Sequence, residues 1–138
     1  MKYSARVHNS EGNHQVFLRT GDISHSITIP PRPTGFGSSA NGGELLFLAL
    51  ATCFCNDIYR EAVNRNIQVV QVEVEVEGDF EAAGEPANNV TYRAKVTAQG
   101  SEAEIRELIS HTDRIAEIQN TLRGETPVTL TGIEVATV

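Results

Sequence analysis

Residues 67–80, IQVVQVEVEVEGDF, carry the clearest periodicity: Val70, Val72, Val74 and Val76 alternate with Gln71, Glu73, Glu75 and Glu77. A period of two puts the valines on one face and the acids on the other, which predicts a strand with one side on a core and one in water. A second alternating run, VTYRAKVTAQ at 90–99, sets Val90, Tyr92, Ala94 and Val96 against polar neighbours. The turn-rich EAAGEPANN between the two runs makes an antiparallel hairpin the expected pairing. Segments at 3–8, 14–20 and 24–30 predict an amino-terminal β-meander, with Ile27 and Ile29 of SHSITIP on its buried side.

Between the meander and the hairpin the pattern changes. Residues 30–43 hold three prolines, four glycines and two serines in 14 positions, too many breakers for the inside of an element, and predict a long loop. Asn41 with Glu44 three residues later has the form of a capping box, so a helix starts there and runs to about Asn66. Its first half is apolar nearly all round, while Asp57, Arg60, Glu61 and Arg65 make the second half amphipathic. That predicts a central helix contacted on every side. Residues 101–123 open with a second capping box, Ser101 and Glu104, and repeat Ile105, Leu108, Ile109 and Ile115 at helical spacing, with a break expected near His111-Thr112-Asp113. PVTLTGIEVATV at 127–138 reads as one or two short closing strands. The order β-β-β-α-β-β-α-β predicts a single α+β domain over residues 1–138, with mostly antiparallel sheets and two central helices.

Charge and composition narrow the partners. At 138 residues the chain can bury roughly two-thirds of its unfolded surface without staples. With 18 acidic against 11 basic side chains the net charge is −7, which offers no attraction to nucleic acid or to an anionic membrane surface. The apolar run Leu45 to Cys55 is shorter than the roughly 20 residues a membrane span needs. MKYSARVHNSEG lacks the apolar region of a secretory signal, so the expected location is the cytoplasm, where Cys53 and Cys55, the only cysteines, are thiols.

Several chemistries are disfavoured. GFGSSANGG precedes a helix but lacks the lysine and spacing of a phosphate loop, and there is no G-x-S-x-G elbow. Cys53 and Cys55 lie about 200° apart on a helix, so they neither chelate one ion nor pair with each other. His8, His14, His25 and His111 are scattered, so neither a metal nor a cofactor is expected. The thiols remain. Cys53 shares a helix face with Asp57, which opposes a thiolate, and Arg60, which favours one. Cys55 lies on an apolar side where burial leaves a thiol inert. Cys53 is therefore the reactive candidate, against the competing possibility that both cysteines are small packing residues.

The stretch NGGELLFLALATCFCNDIYREA resembles the first-cysteine helix of the OsmC/Ohr family of thiol-dependent hydroperoxide reductases, and the order from meander to HTDRIAEIQNTL follows that family over nearly the whole chain. The resemblance implies an intertwined homodimer built around a shared pair of central helices, with sites at the subunit interface. It also implies that Cys53 attacks an organic hydroperoxide. Other positions depart from the family pattern: Ala116 falls where the resolving cysteine belongs, Glu117 falls at a proline, and Gly43 takes the place of a helix-start glutamate. Glu44 is displaced from that place by one residue, about 100° around the axis. The activating arginine aligns with either Arg19 or Arg32. The expected catalytic set is thus Cys53, Glu44 and Arg32, recycled by an external thiol or by Cys55 after local unwinding. The alternative is a non-catalytic dimer that binds a small apolar molecule against Leu46, Phe47, Leu50 and Cys53.

Overall fold

The computed structural model describes residues Met1–Val138, which divide into two compact units, Met1–Leu46 and Phe47–Val138. In the first unit the alternating segments form β1 (Tyr3–Ser10), β2 (Asn13–Thr20) and β3 (Ile23–His25), an antiparallel sheet in the order β1-β2-β3. Gly12 and Gly21 make the tight turns in the left-handed region, at φ 70° and 58°. The third strand is shorter than expected: β3 pairs only with Leu18–Thr20, Ile27 is exposed and Ile29 is partly buried. The chain leaves the sheet toward Pro30 and Pro31, which have no N–H to extend a ladder.

The breaker-rich segment is a loop closed on itself. Arg32 N donates to Gly37 O at 3.1 Å and Ser39 N to Pro30 O at 2.9 Å. Asn9 of β1 clamps it from the side, accepting from Gly37 N at 3.0 Å and donating to Gly37 O at 3.2 Å. At its end the capping box forms as expected: Glu44 N donates to Asn41 Oδ1 at 2.8 Å, and Asn41 N to Glu44 Oε1 at 3.0 Å. Helix α1 follows, Gly42–Asn64. It stops in a Schellman turn, with Asn66 at φ 55°, Asn66 N on Val63 O and Ile67 N on Ala62 O.

The second unit contains β4 (Gln68–Asp79) and β5 (Asn88–Gln99), paired antiparallel, then α2 (Glu102–Ile115) and α3 (Glu117–Arg123). Val72, Val74 and Val76 face inward as expected, but Val70 is 70% exposed and Val69 packs on the core instead. A bulge between Val69 and Gln71 shifts the alternation by one residue there, which turns Val70 to the other face. Phe54, Ile58 and Ala62 of α1 meet Leu108 and Ala116, with Val72, Val74, Tyr92, Ala94 and Val96 packed against them.

Three further expectations are corrected. The long second helix breaks at Ala116 (φ −66°, ψ 114°), not at His111–Asp113, where Thr112 Oγ1 bonds back to Leu108 O and the backbone stays helical. Carbonyls freed by the break are bound from α3: Asn120 Nδ2 donates to Arg114 O and Arg123 Nη1 to Asp113 O, each at 3.0 Å. Helix α1 is not covered on every side within the chain, since Leu48 is 56% and Val63 75% exposed. Residues 127–138 form no strand, because no neighbouring edge pairs with them, and Val128, Leu130, Ile133 and Val135 all stand exposed. The fold is α+β, all its strand pairs are antiparallel, and no helix is long and apolar enough to cross a membrane.

Candidate functional site

Cys53, Asp57, Arg60 and Glu61 recur at helical spacing on one side of α1. Opposite them, Glu117 opens α3, which is held to α1 by Gln119 Nε2 donating to Leu50 O at 3.0 Å. Cys53 Sγ lies 3.6 Å from Asp57 Oδ2 and 3.6 Å from Glu117 Oε2. The outer oxygens of the same carboxylates go to one guanidinium: Arg60 Nη1 is 3.1 Å from Asp57 Oδ1 and 3.2 Å from Glu117 Oε1. Each carboxylate therefore gives one oxygen to the arginine and turns the other toward the sulfur, whose single proton bonds one of them at a time.

Asp57 is only 5% exposed. Burial, reinforced by a hydrogen bond to Glu117 and that group's charge, pushes its pKa up to about 6 against the pull of Arg60. Glu117, which accepts the shared proton, is held below its usual range by that bond. Cys53 is partly buried. Burial pushes its thiol pKa up, the backbone at Ile118 pulls it partly back, and the Asp57 and Glu117 charges push it up again. The resting sulfur is a protonated thiol beside a carboxylate that ionises near neutrality. That pairing suits proton transfer from sulfur at the moment of attack more than a standing thiolate.

The other expected catalytic residues, Glu44 and Arg32, lie in the first unit, as does Arg19. Glu44 serves as the cap partner of Asn41. The Arg32 side chain packs along Gly37, and Arg19 Nε donates to Gly21 O at 2.9 Å. Cys55, partly buried, borders a small pocket with Ala51, Thr52, Asn56 and Val74. Leu50, expected to line a ligand pocket, is buried. Asp57 and Arg60 had been singled out only for their effect on the thiol, and Glu117 was missed as a functional group. Along one unbroken helix Glu117 would lie about 180° from the core residue Leu108. Only the break at Ala116 turns it toward sulfur, and nothing in the local sequence marks that turn.

The model of a family described as OsmC-like protein matches residues 35–131. The chain belongs to the OsmC family. No sequence among curated proteins matches it significantly. Solved structures share its fold. An OsmC-like protein from Mycoplasma pneumoniae is 20% identical with a TM-score of 0.63, over 90% of this chain and 89% of that one. An organic hydroperoxide resistance protein OsmC from Legionella pneumophila is 21% identical with a TM-score of 0.56, over 90% of each chain. An OsmC-like protein of unknown function from Vibrio cholerae is 14% identical with a TM-score of 0.63, over 88% of this chain and 93% of that one. Within this OsmC family member, the cysteine is accompanied by an Asp57–Glu117–Arg60 cluster.

Proposed function

We propose that this OsmC family chain is a redox protein that reduces organic hydroperoxides at Cys53, working as a homodimer and drawing electrons from an external thiol. The observation that carries the proposal is the Cys53 thiol facing Asp57 Oδ2 at 3.6 Å, with the Asp57 carboxyl raised to about 6. The Legionella pneumophila structure of the same fold, described as an organic hydroperoxide resistance protein, points in the same direction.

In this scheme Cys53 Sγ attacks one peroxide oxygen. The S–O bond forms and the O–O bond breaks, so sulfur is oxidised by two electrons and the peroxide is reduced. Asp57 accepts the thiol proton as sulfur attacks and returns it to the departing alkoxide, so hydroperoxide and thiol become alcohol and sulfenic acid. Arg60, bridging Asp57 and Glu117, offsets the charge while the proton is in transit. The chain has no third cysteine to resolve the product. One external thiol therefore displaces water to form a mixed disulfide, and a second releases the Cys53 thiol. Arg32 and Glu44, the helpers implied by the family resemblance, belong to the same proposal as candidates for orienting the peroxide.

Peroxide consumption with a dithiol reductant tests the scheme. The rate should fall to background in Cys53→Ser, stay near wild type in Cys55→Ser, and fall about a hundredfold in Asp57→Asn, as expected for loss of a general acid–base. A Cys53→Ser protein that consumes peroxide at the wild-type rate would overturn it. Loss of activity in Arg32→Ala or Glu44→Gln with full activity in Asp57→Asn would keep the reaction but reassign the acid–base role.

A further inference from the structure

The same three side chains have a second capacity that does not depend on peroxide turnover. We infer that Cys53, Asp57 and Glu117 form a three-donor site for a divalent cation of the zinc class, with water completing a tetrahedron. Their ligand atoms, drawn from two helices, all lie within 4.8 Å of one another. Zinc–sulfur bonds of about 2.3 Å and zinc–oxygen bonds of about 2.0 Å give sulfur-to-oxygen edges of about 3.5 Å in a tetrahedron. Both sulfur-to-oxygen separations here are 3.6 Å. On these two edges the donors already stand at the spacing a tetrahedral cation requires.

Three further features point to a cation. Arg60 holds the outer oxygens Oδ1 and Oε1, which fixes both carboxylates with their second oxygens toward sulfur, the kind of support that ligating carboxylates receive in metal sites. Asp57, more than nine-tenths buried, turns Oδ2 toward the Cys53 thiol, whose proton it accepts. Replacing that proton by a metal satisfies the oxygen fully. The charges also close: a thiolate and two carboxylates against Arg60 leave a deficit of two positive charges, which one divalent ion supplies. Glu117, whose side chain is 61% exposed, leaves a route from solvent and room for the water ligand. The thiolate selects zinc, cobalt or cadmium over magnesium and calcium. The scattered histidines and Cys55 take no part. With the ion bound, the sulfur electrons are engaged, so metal occupancy and oxidation of Cys53 exclude each other.

Cobalt(II) titration of the reduced, metal-free protein under argon tests the site directly, because a cobalt thiolate has a near-ultraviolet charge-transfer band that carboxylates cannot give. One equivalent per chain should produce the band, zinc should displace it, Cys53→Ser should abolish it, and Cys55→Ser should leave it unchanged. Glu117→Gln and Asp57→Asn should each weaken binding about tenfold or more, with the far-ultraviolet circular dichroism of each variant unchanged. A missing band, a band lost in Cys55→Ser, or affinity indifferent to both carboxylate variants would overturn the inference. None of these readouts uses a peroxide, so a failed peroxidase assay leaves the metal test intact, and the reverse also holds.

Discussion

Below about pH 6 Asp57 keeps its proton, because burial disfavours its charged form and ionising beside Glu117 places two negative charges side by side, and Arg60 offsets only part of that cost. The sign of the consequence follows from linkage. Between its ordinary 3.8 and about 6, Asp57 is protonated in the folded chain and ionised in the unfolded one, so its contribution to stability falls as pH rises through that window. Glu117 acts in the opposite direction and at lower pH, since its contribution is lost as pH falls through its depressed pKa. Urea denaturation of Asp57→Asn from pH 4 to pH 7 should therefore show a smaller loss of stability with rising pH than wild type. A decline of equal size in both would show that Asp57 is not the titrating group. Activity should rise across about pH 6 as the base form of Asp57 appears, and Asp57→Asn should lose that inflection. At this scale the α1 half of the site was legible, because spacings of four and seven residues put Cys53, Asp57 and Arg60 on one face. Glu117 was not legible, because its direction depends on a backbone break that no residue type announces.

Among the elements, those with local chemical signatures were the most readable. Both capping boxes, the breaker-rich loop and the alternating hairpin formed where the residues implied. The failures share one cause: they depend on tertiary partners. Val70 was misplaced by a bulge, β3 leaves its neighbour at His25 although β2 continues past Leu18 to Asn13, and the tail alternates without an edge to join. Two substitutions probe what holds the second unit. A Cβ on Gly78 of β4 would stand 2.7 Å from Phe47 Cζ and 3.1 Å from Val90 Cγ2, and Phe47 is already stacked on Phe80 at 5.9 Å between ring centres. Gly78→Ala should destabilise the protein by about 1–3 kcal/mol, the range of overpacking, read as a lower denaturation midpoint at unchanged slope. Ser101→Ala removes the bond from Glu104 N to Ser101 Oγ and should cost about 1 kcal/mol by the same measurement.

For the molecule as a whole, the family resemblance conveyed more than the periodicities did, because it carried the order of elements. The surfaces left open bear on assembly. Leu48, Tyr59 and Val63 of α1 stand exposed, as do the alternating Val128, Leu130, Ile133 and Val135. The proposed homodimer accounts for both. Sedimentation equilibrium at micromolar concentration should return twice the 15.0 kDa of one chain, and Val63→Glu should shift the equilibrium toward the single chain. A monomer at that concentration would leave these surfaces without a partner of the same kind.

The central claim is that Cys53 is the redox centre, and trapping its oxidised form tests this most directly. Protein exposed to excess organic hydroperoxide in the presence of dimedone, then digested and analysed by mass spectrometry, should carry the sulfenic-acid adduct on Cys53 and not on Cys55. Absence of an adduct on Cys53, with peroxide consumed equally by wild type and Cys53→Ser, would contradict it.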